Sequence, residues 1–258
     1  MNLFEKAAYK LKKYPTGEVT VIIAAGGSGT RMGGVSKPLM TLGERPVIEY
    51  SLDAFSSCEC VGRIFISARK SDLPSYERIK KEGRFPKLCG VVEGGRTRSE
   101  SVKNAFVEAM RDGMTDFVAI HDAARPLITK EEIERAVKIA AVHGSGVCAS
   151  RVRDTVKRAT KGGKVTENVE REGLWLISTP QIFSSDHYHA ALSAAIAEKK
   201  KEGDSPIDYT DDSTMFSDAG FEVMLSETSC DNIKITYPED IFVALGIIAA
   251  REKRENDR

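Results

Sequence analysis

A run of glycines and two cations stand close together near the start of the chain. Residues 26–37 read GGSGTRMGGVSK, so Gly26, Gly27 and Gly29 precede Arg31 and Lys37. Glycine lets a backbone come close to a ligand. Exposed N–H groups at such a turn favour an anion, and two cations at fixed offsets strengthen that preference. The chemistry open to this set is to cradle a triphosphate. Later in the chain, HDAARP at 121–126 puts Asp122 and Arg125 in one short loop. DNIKIT at 231–236 carries Ile233 and Ile235, which read as part of a strand. No Ser/His/Asp or paired-carboxylate set stands out. Cys58 and Cys60 form C-x-C without a second pair at zinc spacing, and His187 and His189 are not four apart as helical metal ligands are. The two histidines read as surface residues of a helix.

Elements must position these groups. Val19 to Ala25 (VTVIIAA) is an apolar, β-branched run that reads as a buried strand, and Pro38 blocks simple continuation of a helix after the loop. Residues 46–55 suit a helix, 63–68 a second strand, 71–81 a helix and 90–93 a third strand. Ser99 or Ser101 is expected to cap the helix that follows. Residues 116–120 form a fourth strand, 130–142 an amphipathic helix, and 146–149 begin another strand. Strands alternating with helices at this spacing predict an α/β fold, a Rossmann-like, mainly parallel mixed sheet with helices on both faces. Ligands of such sheets gather at the carboxyl ends of the strands. The loops 26–37, 94–101 and 121–126 all fall at that edge.

Residues 149–176 interrupt the pattern. Six basic residues lie between 151 and 164, and Lys161-Gly162-Gly163-Lys164 reads as a hairpin turn. An isolated hairpin cannot bury a face of its own, so it should project or pack on a partner. The expectation is a protruding β-hairpin dimerisation arm. Beyond it, 184–200 should be helical, Thr210-Asp211-Asp212 should start another helix with Asp211 as its cap, and 221–225 and 233–235 should be strands. The last helix should start with Thr236 and Pro238.

The chain has 258 residues and a formal net charge of zero, so no global field points to nucleic acid or a membrane. Five cysteines without a pairing pattern suggest a reduced, cytoplasmic protein. No segment reaches the roughly 18 consecutive apolar residues of a membrane span. Residues 1–17 read as an N-terminal extension with Leu3, Ala7, Ala8 and Leu11 at helical spacing, and 18–258 as one domain with the arm inserted.

The glycine loop departs from two common phosphate loops. Met32 stands where a dinucleotide fold wants its third glycine, and Val35-Ser36 replaces the lysine-hydroxyl pair of a P-loop ATPase. As it stands, AAGGSGTRMGGVSKPL at 24–39 resembles the signature of nucleotidyltransferases. GGRTRSESV at 94–102, HDAARP, DTVK at 154–157, REGLW at 171–175, TPQ at 179–181 and DNIKIT narrow the resemblance. Together they resemble the 2-C-methyl-D-erythritol 4-phosphate cytidylyltransferases of non-mevalonate isoprenoid synthesis. Ribitol 5-phosphate cytidylyltransferases share many of these motifs and are the alternative. A nucleotide-binding regulatory module without turnover is the alternative from another class.

The resemblance implies that CMP passes from CTP to a polyol phosphate with Mg2+ or another divalent ion present. It implies Arg31, Lys37 and Lys234 as the catalytic cations. Ala24, Ala25, Gly26, Gly27, Gly29, Gly95 and Ser101 would bind the nucleotide. Asp122 would hold the metal with Asp231 or Asn232. Arg125, Thr155, Arg171 and Thr179 would surround the acceptor, Thr155 and Arg171 acting across a homodimer interface. At position 96 relatives can carry an acidic residue where this chain has arginine.

Overall fold

A computed structural model of the chain describes residues 19–27, 36–111, 113–201 and 205–256. The N-terminal extension, Gly29 and Arg31 lie outside the described residues. A seven-stranded sheet forms the centre. Its strands are β1 (Val19–Ala25), β4 (Val61–Ala68), β5 (Leu88–Glu93), β6 (Phe117–Asp122), β7 (Ser145–Arg151), β10 (Trp175–Ser184) and β11 (Leu225–Glu227). Their spatial order is β11-β7-β10-β6-β1-β4-β5. β1 pairs parallel with β4 and β6, β4 with β5, and β7 with β11. Only β10 runs antiparallel to its neighbours β6 and β7 among these described strands.

The apolar run of β1 explains its central place. Val21, Ile23 and Ala25 pack into one apolar cluster and Ile22 into a second, on the opposite face. Successive side chains of a strand point to opposite faces, so a continuous apolar run needs cover on both. Helices supply it. α1 (Val47–Ser57), α2 (Leu73–Lys81) and α4 (Lys130–His143) pack Leu52, Phe55, Tyr76 and Ala140 on the first face. α3 (Arg98–Met110), α5 (Ser185–Lys201) and α6 (Asp212–Asp218) pack Val102, Phe106, Tyr188 and Phe216 on the second. The last helix, α7 (Asp240–Asn256), covers a smaller cluster of Leu42, Val47, Leu127 and Ile235 beside the short hairpin β2 (Thr41–Leu42) and β3 (Arg45–Pro46).

Local signals set the element ends. Thr129 and Glu132 form a reciprocal capping box at the start of α4, and Gly144 at its end takes φ of 87° in the left-handed region that favours glycine. Four expectations need correction. The cap of α3 is Thr97, whose hydroxyl accepts from the Glu100 N–H, not Ser99 or Ser101. The strand expected at 221–225 is β11 at 225–227; residues 222–224 meet β7 through the Ser145 side chain and through the Val147 N–H, which donates to the Met224 carbonyl. Residues 233–235 are not a strand; the Ile235 N–H instead donates to the Ala124 carbonyl and ties two loops together. α7 starts at Asp240, whose carboxylate accepts from the Thr236 and Tyr237 N–H groups.

The arm is a separate two-stranded antiparallel sheet of β8 (Val156–Ala159) and β9 (Val165–Val169). Its turn is closed by Thr160 N–H donating to the Lys164 carbonyl. The arm is almost wholly exposed, as are Leu176 and Ile177 at its root. Arg158 pairs with Glu167 across the hairpin at 2.7 Å.

Candidate active site

The carboxyl ends of β1, β5 and β6 open on a cleft of about 560 Å3. Its walls include Ala24, Ala25, Gly26 and Gly27 from the end of β1, Lys37 from a short 3-10 turn, and Gly95 and Ser101 around the start of α3. Asp122 from the end of β6 and Lys234 from the 231–236 segment complete it. Residues far apart in sequence therefore meet as the loop positions predict.

The 94–101 loop is shaped by close approach. A Cβ on Gly95 would stand 2.3 Å from the Glu100 Cβ. Only glycine lets that backbone lie against α3. The Gly95 N–H donates to the Ser101 hydroxyl at 3.0 Å, and that hydroxyl donates to the Thr97 carbonyl at 2.8 Å. Ser101 thus shapes the loop as well as lining the cleft. Arg96 folds back on Glu100, which takes both its backbone N–H and its guanidinium, at 2.9 and 2.7 Å. The Arg96 charge is therefore offset by its own helix.

Asp122 is the electrostatic centre. Arg98 Nε donates to its Oδ1 at 3.1 Å, and Lys234 Nζ to its Oδ2 at 2.7 Å. Burial alone would raise this carboxyl, but Arg98 and Lys234, then Arg125, outweigh it and hold it far below the usual carboxylate range. Arg98 also donates to Asp212 at 2.6 Å, and Asp212 accepts from the Tyr188 hydroxyl at 2.7 Å. The sequence reading passes over Arg98, Asp212 and Tyr188. One signal points to the first. An arginine in the first turn of a helix faces the positive end of the helix dipole, which calls for anions to hold it there.

The remaining expected residues sit around the cleft rather than on it. Arg125 Nη1 donates to the Asn232 carbonyl at 2.8 Å, and its Nε is 3.9 Å from Asp122 Oδ2. Thr179 is buried, and its hydroxyl accepts from the Asp122 N–H at 3.0 Å, so it supports Asp122 from below. Thr155 and Arg171 lie on the exposed arm region, where the Arg171 guanidinium donates to the Arg153 carbonyl. Of the expected metal residues, only Asp122 lines the cleft. Asp231 faces Arg251 at 3.8 Å, and the buried Asn232 donates its amide to the Thr179 carbonyl at 2.9 Å. Among the described residues no group of three or more His, Cys, Asp or Glu is arranged to hold a metal. A single carboxylate on a cleft that also carries Lys37 and Lys234 nevertheless fits Mg2+, which is commonly held by one or two carboxylates and substrate phosphates. No described helix is long and apolar enough to cross a membrane.

Comparison with known proteins gives a consistent picture. The family profile for IspD, 2-C-methyl-D-erythritol 4-phosphate cytidylyltransferase, matches residues 19–250. A protein of that name from Alkaliphilus metalliredigens is 34% identical over 241 residues, covering 92% of this chain and 96% of its own length. The 4-diphosphocytidyl-2C-methyl-D-erythritol synthase of Anaerococcus prevotii superposes with a TM-score of 0.75 at 26% identity, covering 90% of this chain and 96% of that one. The 2-C-methyl-D-erythritol 4-phosphate cytidylyltransferase of Thermus thermophilus gives 0.69 at 27% identity, covering 89% and 98%. The cleft with its Asp122 and Lys234 pair and the mixed sheet thus stand in a chain matched along nearly its whole length, and this chain belongs to the 2-C-methyl-D-erythritol 4-phosphate cytidylyltransferase family.

Proposed function

We propose that the chain transfers CMP from CTP to 2-C-methyl-D-erythritol 4-phosphate, releasing pyrophosphate. The observation that carries this reading is the convergence of Lys37, Asp122 and Lys234 on one cleft, in a member of that family. A phosphate oxygen of the acceptor attacks the α-phosphorus of CTP. The bond from that phosphorus to the bridging oxygen breaks, and its electrons leave with pyrophosphate. The nucleophile is already anionic at neutral pH, so no general base is required. The task is to bring two polyanions together and to stabilise charge on the α-phosphate and the leaving group.

The residues divide that task. Lys37 lies at the α-phosphate, and Arg31 holds the β- and γ-phosphates. Lys234 serves the α-phosphate or the acceptor phosphate. Ala24, Ala25, Gly26, Gly27, Gly29, Gly95 and Ser101 hold the nucleotide, largely through backbone groups. Asp122 is the residue that would hold Mg2+, and the bound ion supplies charge neutralisation across the phosphates. Arg125 and Thr179 stand on the acceptor side. Thr155 and Arg171 reach the acceptor of a partner subunit in a homodimer joined through the arm. Exposed Leu176 and Ile177 at the arm's root support that assembly, since they lack cover within the described chain. The compartment consistent with five free cysteines is the reducing cytoplasm.

The test is pyrophosphate release from CTP and Mg2+ with each acceptor in turn. We expect faster turnover with 2-C-methyl-D-erythritol 4-phosphate than with ribitol 5-phosphate. Release with neither overturns the enzyme reading, and preference for ribitol 5-phosphate overturns the acceptor.

A further inference from the structure

His121 stands beside Asp122 and is fully buried, yet it does not line the cleft. Its ring meets Phe55 edge-on at 5.0 Å, which leaves the two nitrogens to set its orientation. Nε2 is 3.1 Å from the Arg125 carbonyl oxygen. A carbonyl only accepts, so Nε2 carries the proton and Nδ1 is the acceptor. Thr179 Oγ1 lies 3.1 Å from Nδ1, and therefore donates its single hydrogen there. Towards the Asp122 N–H, 3.0 Å away, the same oxygen accepts. Ser51 Oγ donates to the Arg125 carbonyl at 3.2 Å and, 3.2 Å from Nε2, stands as a second acceptor for its proton. Every bond in this buried set then has one direction.

The set encloses a turn. Residues 122–125 are closed by the Arg125 N–H donating to the Asp122 carbonyl at 2.9 Å. We propose that His121 is a positioning residue that clamps this turn at both ends, acting through Thr179 on the Asp122 N–H and directly on the Arg125 carbonyl. The clamp extends to the segment bearing Lys234. The Thr179 carbonyl accepts from the Asn232 amide at 2.9 Å, the Asn232 carbonyl accepts from Arg125 at 2.8 Å, and the Ile235 N–H donates to the Ala124 carbonyl at 2.8 Å. One imidazole thereby sets where Asp122, Arg125 and Lys234 stand relative to one another. The ends of the clamp are not equivalent. Ser51 also holds the Arg125 carbonyl, whereas Nδ1 is the acceptor that the Thr179 proton finds among the described residues.

This inference rests on the proposed cytidylyl transfer, and its test separates the two. In His121→Asn the side-chain oxygen replaces Nδ1 and keeps the Thr179 bond; in His121→Gln the amide N–H replaces Nε2–H and loses it. We expect His121→Asn to lose less kcat than His121→Gln. His121→Gln and Thr179→Val should each lower kcat by about 10- to 100-fold, the range for orienting partners of a metal site. KM for CTP should change little in either variant, and the double variant should lose no more than either single one. Equal losses in Asn and Gln, or additive losses in the double variant, overturn the clamp. Independently of turnover, 15N NMR of the unaltered protein should show His121 protonated on Nε2 and not on Nδ1. The other tautomer overturns the inference even if the enzyme is active. Absence of pyrophosphate release by the unaltered protein overturns the functional reading, and the NMR result still decides the hydrogen-bond pattern.

Discussion

Arg98 and Lys234 hold opposite oxygens of Asp122, but they are not equivalent. Arg98 is backed by Asp212 at 2.6 Å and is only a quarter exposed, with its side chain at 25%. The Lys234 side chain is 45% exposed and approaches from the cleft. Both line the cleft, but a guanidinium held between two carboxylates is a fixed part, while a half-exposed ammonium on a flexible stem can exchange its partner for a phosphate. Lys37 lines the same cleft. If Lys37 lies at the α-phosphate as proposed, its charge matters most while charge builds there. Lys37→Ala should therefore lower kcat by about 100- to 1000-fold, as for loss of one electrostatic stabiliser, and weaken CTP binding far less. Steady-state kinetics and a direct CTP titration measure the two, and equal losses in both would place Lys37 in binding alone.

At the scale of elements, the 94–101 loop and α3 act as one unit. Thr97 caps the helix, Ser101 ties it back to Gly95, and Glu100 takes Arg96. Gly95→Ala puts a methyl group 2.3 Å from the Glu100 Cβ and 3.0 Å from its carbonyl carbon, within the first turn of α3. The loop must move, which separates the Gly95 N–H from Ser101. We expect a loss of about 1–3 kcal/mol in urea unfolding, the range for overpacking, together with weaker CTP binding. Unchanged stability and affinity would show that the loop has room to spare. The other element that sets the site is β10. Because it runs antiparallel to β6 with Gln181 opposite Ile120, its preceding residues reach the carboxyl end of β6, where Thr179 meets Asp122.

At the scale of the whole molecule, the sheet gathers its loops at one edge, and the arm leaves the sheet altogether. β8 and β9 pair only with each other among the described strands. Arg171 makes its described bond to the Arg153 carbonyl near the arm, away from the residues that line the cleft. If Arg171 serves a partner's site, co-expressing Arg171→Ala and Lys37→Ala subunits should restore partial activity. In a mixed dimer one site collects both defects and the other collects neither. Pyrophosphate release by the purified mixed dimer checks this, and no recovery would show that each site is built within one chain.

The parallel strands and the loops between them are legible in the sequence because apolar runs, glycines and caps act over a few residues. The run 19–25 is apolar on both faces, so it had to be central, and its glycine-rich exit had to lie at the carboxyl edge. The family resemblance of the motifs likewise needs no coordinates. What only the tertiary structure decided depends on partners distant along the chain. Lys234 meets Asp122 from 112 residues away, and Arg98 meets Asp212 from 114. Residues 233–235 have strand-like composition, but Ile235 finds its backbone partner in the Ala124 loop, so they form a tie rather than a strand. Asp231 and Asn232 have the types of metal ligands, but only Asp122 of the three lines the cleft; Asp231 stands 3.8 Å from Arg251, and Asn232 gives its amide N–H to the Thr179 carbonyl. His121 reads in the sequence as one letter of a motif, and its role follows from which atom of which neighbour faces each ring nitrogen. Local sequence sets which element forms and which face is apolar; charge pairing and hydrogen-bond direction are settled only when separate elements pack.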